Sequence, residues 1–139
     1  MPVNYSLLEI GNIISDQKYT LTQKEIELYL KSVQDDSDRL FNDSGIELAP
    51  PMSIAALSLR GVVNDLQIPG GTLHVGQEME FKESVEVGED LRCVASVASN
   101  NVRGDWRFLA VDLSVLRSSS DEVMVGKSTI MLPAENKIE

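Results

Sequence analysis

The chain has 139 residues, with 12 Lys plus Arg against 22 Asp plus Glu, a formal charge of −10, and 42% hydrophobic and 5% aromatic residues. That length suits one domain able to bury about two-thirds of its extended-chain surface, and the apolar share argues against disorder. The acidic balance repels phosphate backbones and anionic membranes, which sets nucleic acid aside as a partner, and no run approaches the ~20 apolar residues of a membrane span.

The N-terminal segment MPVNYSLLEIGN lacks the basic flank and apolar run of a signal peptide. The single cysteine, Cys93, leaves no internal disulfide. Together these suggest a reducing, cytoplasmic setting. Cys93 falls in an alternating strand pattern and reads as a buried structural thiol.

In chain order, the first 18 residues read as an irregular or partly extended lead-in. Thr22 and Glu25 form a capping box, with Leu21 and Ile26 at the staple positions. Ile26, Tyr29, Leu30 and Val33 then make one apolar helical face. Asp35, Asp36, Ser37 and Asp38 compete for backbone hydrogen bonds and favour a turn. After Pro50 and Pro51, the series Met52, Ala55, Ala56, Leu59, Val62, Val63 and Leu66 repeats at three and four residues. It predicts a long helix with Ser53, Ser58, Arg60, Asn64 and Asp65 on the opposite face, ending near Gln67 before Pro69-Gly70-Gly71.

Strands follow. Leu73, Val75, Gln77, Met79 and Phe81 alternate with more polar residues, as do Leu91, Cys93, Ala95 and Val97. The alternation puts Gln77 inside and His74 on the face opposite Leu73, Val75 and Met79. Asn100-Asn101 reads as a turn, Trp106 to Arg117 as a long strand, Ser118 to Asp121 as a turn, and Val123 to Leu132 as the last strand. The tail AENKIE reads as polar. One long helix before a run of antiparallel strands is α+β, with the sheet wrapped around the helix. No internal repeat or linker divides the chain, so residues 1–139 are expected to form a single domain with its core at about 18–133.

Several short motifs occur in a fixed order: Pro50-Pro51-Met52 opening the helix, Pro69-Gly70, Leu73-His74-Val75-Gly76-Gln77, and Val85-Glu86-Val87-Gly88-Glu89-Asp90-Leu91. In this order and spacing the chain resembles the MaoC-like hydratases and dehydratases, particularly their non-catalytic N-terminal-type (FAS1-like dehydratase) domain. The segment KYTLTQKEIELYLKSV looks like that family's first strand and helix, so the resemblance spans roughly Lys18 to Pro133. The Gly88-Glu89-Asp90 turn carries one residue more than the family's Gly-Asp pair.

The resemblance implies a hotdog fold, usually dimeric with sheets joined edge to edge. Its implied ligands are acyl thioesters of coenzyme A or acyl carrier protein, with no other cofactor and no metal. The implied reaction is reversible loss of water from a 3-hydroxyacyl thioester, which needs an Asp and a His beside one water. The family supplies both from G-D-x-N-P-(L/I/V)-H after its first helix. Here that stretch is Gln34-Asp35-Asp36-Ser37-Asp38-Arg39-Leu40-Phe41. Asp36 takes the aspartate place, or Asp35 if one residue is inserted, and Phe41 takes the place of the histidine. Asp35 and Asp36 are therefore vestigial catalytic candidates in a turn that otherwise reads as solvated.

His74, the only histidine, matches an element that is structural or substrate-lining in the family, with a relocated acid–base role as the alternative. Pro51, Met52, His74, Gly76 and Gln77 are the substrate-binding candidates. Arg103, Trp106 and Arg107 interrupt the acidic surface; they read as a hairpin tip or as a docking point for a nucleotide phosphate or carrier protein.

The leading expectation is an acyl-thioester-binding subunit of an enoyl-CoA hydratase or 3-hydroxyacyl dehydratase system in fatty acid metabolism. It would be a homodimer or a heterodimer with a catalytic MaoC-like subunit. Its rivals are a self-sufficient hydro-lyase pairing an aspartate with His74, and a non-enzymatic acyl-binding homo-oligomer.

Overall fold

A computed structural model describes residues 3–134. Of the tail, Ala134 is buried and residues 135–139 lie outside the described residues.

The lead-in is more ordered than expected. It holds a 3-10 turn at Tyr5–Leu7 and strand β1, Ile13–Thr20. β1 runs antiparallel to β3 (Asp90–Arg103), from Ser15 opposite Ala95 to Thr20 opposite Asp90. It is an edge strand in which only Ser15 is buried, so no alternation of apolar residues marks it in the sequence. The Tyr5 hydroxyl donates to the Leu66 carbonyl at 2.7 Å and ties this segment to the end of the second helix.

Helix α1 spans Gln23–Ser32, and Thr22 Oγ1 accepts from the Glu25 amide at 3.1 Å. The reciprocal arm of the capping box is absent: Glu25 pairs instead with Arg60 at 3.0 Å. Leu21, Ile26 and Leu30 are buried, whereas Val33 is exposed.

Helix α2 spans Pro51–Leu66, with proline at its first position and a left-handed Gln67 closing it. The apolar face expected of it divides in two. Ile54, Ala55, Val62 and Leu66 point inward together with Ser53 and Ser58, the two serines that were expected on the polar face. Their burial is possible because each hydroxyl finds a partner. Ser53 Oγ donates to the Pro50 carbonyl at 2.6 Å, and Ser58 Oγ shares a 2.6 Å hydrogen bond with the Tyr19 hydroxyl. An outer stripe remains: Met52 and Val63 are 50% and 51% exposed.

Strands β2 (Leu73–Phe81), β4 (Trp106–Arg117) and β5 (Glu122–Pro133) complete one antiparallel sheet of order β1-β3-β4-β5-β2. Leu91, Cys93, Ala95 and Val97 of β3 join Leu109, Val111, Leu113 and Val115 of β4 in one core with the inner face of α2. Gly61 lets β1 approach this helix, since a Cβ there would lie 2.5 Å from Gln17 Cγ. Asn100 and Asn101 do not form a turn: they lie inside β3, opposite Leu109 and Phe108. Asn100 stays extended because its amide donates to the carbonyls of Tyr5 (2.7 Å) and Leu8 (3.0 Å).

Candidate functional site

The loop between α1 and α2 holds the degenerate motif. Gln34 takes a left-handed conformation, φ 57°, and ends the helix. Asp35 Oδ1 then accepts from the Ser37 hydroxyl (2.6 Å) and the Ser37 amide (3.0 Å). These two bonds hold its carboxyl below the usual aspartate range. Arg39, in the place of the family's proline, forks between Glu27 of α1 at 2.8 Å and Glu47 at 2.7 Å. Phe41 forms an isolated bridge with Glu47 and is 58% exposed. Leu48 bridges to Glu86, and Asn42 Nδ2 donates to the Glu86 carboxylate at 2.6 Å. The loop is thus closed on itself by charge and backbone pairing, with a side chain that cannot titrate at the histidine position.

The Arg39 clamp predicts a pH dependence. The Arg39 guanidinium, with help from Gln23, holds the Glu27 carboxyl below its ordinary value of 4.5. A depressed carboxylate adds stability above its unfolded pKa and loses it as pH falls through the folded one. The gap in melting temperature between wild type and Arg39→Met should therefore be full at pH 6–7 and shrink as pH drops below about 4. A gap that does not vary with pH would show that Arg39 acts only by packing.

His74 sits elsewhere. A bulge at Val75 interrupts β2, so that His74 faces Ile130 while Gly76 faces Thr129 and Gln77 faces Ser128. The extra residue resets the alternation. His74, expected on the face away from the core, lies on the α2 side. There it lines a cavity of about 180 Å³ with Leu59, Val62, Val63, Leu66 and Ile130. Gln77 shares that side but is exposed rather than inside, because β2 is the outermost strand. Its Oε1 still accepts a hydrogen bond from Ser128 Oγ.

Within one chain the candidate residues form two groups. Asp35 and Asp36 lie in the loop before α2, and Pro51 and Met52 in its first turn, whereas His74 lines the cavity by its C-terminal half and Gly76 and Gln77 follow on β2. Among the described residues no hydrogen bond or ion pair joins Asp35 or Asp36 to His74. Sequence reasoning missed the cavity because it read one unbroken two-residue period through β2; Gly76, an isolated glycine inside the strand, was the available signal of the bulge that turns His74 into it.

Two other candidates are structural in this arrangement. Burial pushes the Cys93 thiol up to about 11, far from a reactive thiolate. Arg107, expected on the surface, is 7% exposed and donates to Asn100 Oδ1 at 2.8 Å. Only Arg103, 5.6 Å above the Phe108 ring, and Trp106 remain at the hairpin surface. Among the described residues no three His, Cys, Asp or Glu side chains converge as a metal site, and no described helix is long and apolar enough to cross a membrane.

A five-stranded antiparallel sheet packed on one long helix, with an apolar cavity between helix and edge strand, defines the hotdog class of proteins. The FAS1-like, dehydratase domain region family matches residues 9–125. The chain belongs to this family. Its fold is similar to that of the (R)-hydratase PhaJ1 from Pseudomonas aeruginosa in the unliganded form, at 21% identity and TM-score 0.79, covering 96% of this chain and 88% of that one. It is also similar to the (R)-hydratase of A. caviae involved in PHA biosynthesis, at 19% identity and TM-score 0.74, covering 91% and 98%. A third likeness is to the C-terminally truncated HadBC (3R-hydroxyacyl-ACP dehydratase) complex from Mycobacterium tuberculosis, at 15% identity and TM-score 0.74, covering 95% and 100%. A search of the curated proteins found no match.

Proposed function

We propose that this chain is an acyl-thioester-binding subunit of an enoyl-thioester hydratase or 3-hydroxyacyl dehydratase system, and that a catalytic MaoC-like partner brings the Asp–His pair. The observation that carries this reading is Phe41 at the histidine position, in a loop that Arg39 fastens to Glu27 and Glu47. Proton transfer at neutral pH favours a histidine, and the loop contains none. The HadBC structure, whose name describes a dehydratase complex, supports a two-component arrangement by analogy of fold. The ligand is an acyl thioester of coenzyme A or of acyl carrier protein, with its acyl group in the cavity beside His74. The setting is the cytoplasm, and the whole chain acts as one domain. The rival that pairs an aspartate with His74 lacks a contact between them, since no hydrogen bond or ion pair joins Asp35 or Asp36 to His74 among the described residues.

Calorimetric titration with crotonyl-CoA tests the binding half of the proposal. The purified chain should bind with a dissociation constant in the range of about 1 μM to 1 mM. Absence of heat at millimolar ligand, with a control hydratase binding normally, would sink it.

A further inference from the structure

The cavity beside His74 has a mouth and a floor. Val63 of α2 and His74 of β2 are exposed and stand at its mouth. Val62, Leu66 and Val111 are buried and form its floor. All three belong to the main core, and protein cores are close-packed, with few voids larger than a water molecule. Val111 supplies the sheet side of the floor. It lies on β4 between Val97 of β3 and Ser128 of β5, both of them buried. Ser128, a buried polar residue of the lining, already donates its hydroxyl to Gln77 Oε1. The floor therefore offers hydrocarbon contacts, and the cavity is blind: a ligand tail that reaches Val111 has nowhere further to go.

We propose that this cavity takes acyl tails of up to about six carbons and gains nothing from longer ones, with Val111 as the residue that sets the limit. The inference rests on the reading of the chain as an acyl-thioester binder and names the length class of the acyl group. An apolar cavity of about 150 Å³ holds benzene. This one is about 180 Å³, so it has room for about six or seven non-hydrogen atoms. Each methylene buried there should tighten binding about fourfold. A methylene beyond the floor stays in water or forces the core apart, and contributes nothing.

The test is calorimetry on the purified chain with acetyl-, butanoyl-, hexanoyl-, octanoyl- and decanoyl-CoA. Affinity should rise about fourfold per methylene from acetyl to hexanoyl and then level off, so that decanoyl-CoA binds within about threefold of hexanoyl-CoA. Val111→Ala deepens the cavity and should move the break to octanoyl-CoA, which would then exceed hexanoyl-CoA by about fourfold or more. A wild-type affinity that climbs through decanoyl-CoA overturns the inference and leaves the acyl-binding reading standing. So does one that stays constant from acetyl-CoA onward. Failure of every ligand to bind overturns both. A break that stays at hexanoyl-CoA in folded Val111→Ala overturns the role of Val111. The wild-type series decides the length limit even where that variant fails to fold.

Discussion

The purified chain should hydrate crotonyl-CoA at a rate indistinguishable from the buffer blank. A positioned general acid or base contributes about 10²- to 10⁴-fold, and this chain has no His at position 41 to supply one. Phe41→His alone should recover little, because geometry comes before pKa in such a site. Arg39 stands where the family keeps its proline, and its ion pairs with Glu27 and Glu47 fasten the loop. Adding Asp38→Asn and Arg39→Pro restores the turn residues and releases the clamp, so the triple variant should exceed Phe41→His. The absorbance of the enoyl thioester, followed in a preparation free of host hydratase, reads all three proteins. Robust wild-type turnover would refute the claim that the motif is dead. If His74→Ala then abolished that turnover without unfolding the protein, the His74 rival would hold instead.

Light scattering at micromolar concentration should give a mass near twice 15.3 kDa. The reason is the uncovered side of the molecule. β2 is a sheet edge on which Leu73, Val75 and Phe81 are 50%, 48% and 37% exposed. A sheet edge with exposed apolar side chains is a template for pairing with another strand. The outer stripe of α2 continues it, since Leu59 and Val63 line the same cavity as His74. A second copy is the expected partner in the purified protein, and the proposed catalytic subunit would take its place through the same edge. Val75→Glu with Phe81→Glu adds like charge to a strand already carrying Glu78 and Glu80. Repulsion and desolvation should weaken the pairing by about 100-fold or more, leaving a 15.3 kDa monomer with unchanged secondary structure. A wild type that is monomeric across the micromolar range would show that the edge is not an interface.

The residues alone determined the architecture, because it depends on local patterns. Thr22 marks the start of α1, Pro51 and Gln67 bracket α2, and the strand Trp106–Arg117 has the bounds that its alternation predicts. The missing histidine was equally legible, since a motif either contains a titrating group or does not. What depended on contacts between distant segments had to wait for the tertiary structure. β1 lacks an apolar alternation because it is an edge, and Asn100 is extended because it serves the backbone of Tyr5 and Leu8. Ser53 and Ser58 turn inward because their hydroxyls find partners there. The facing of His74 was decided by one extra residue at Val75. A bulge shifts every later side chain by one face, so a two-residue period read along the chain misplaces it; the isolated Gly76 hints at a bulge but cannot say which face His74 takes.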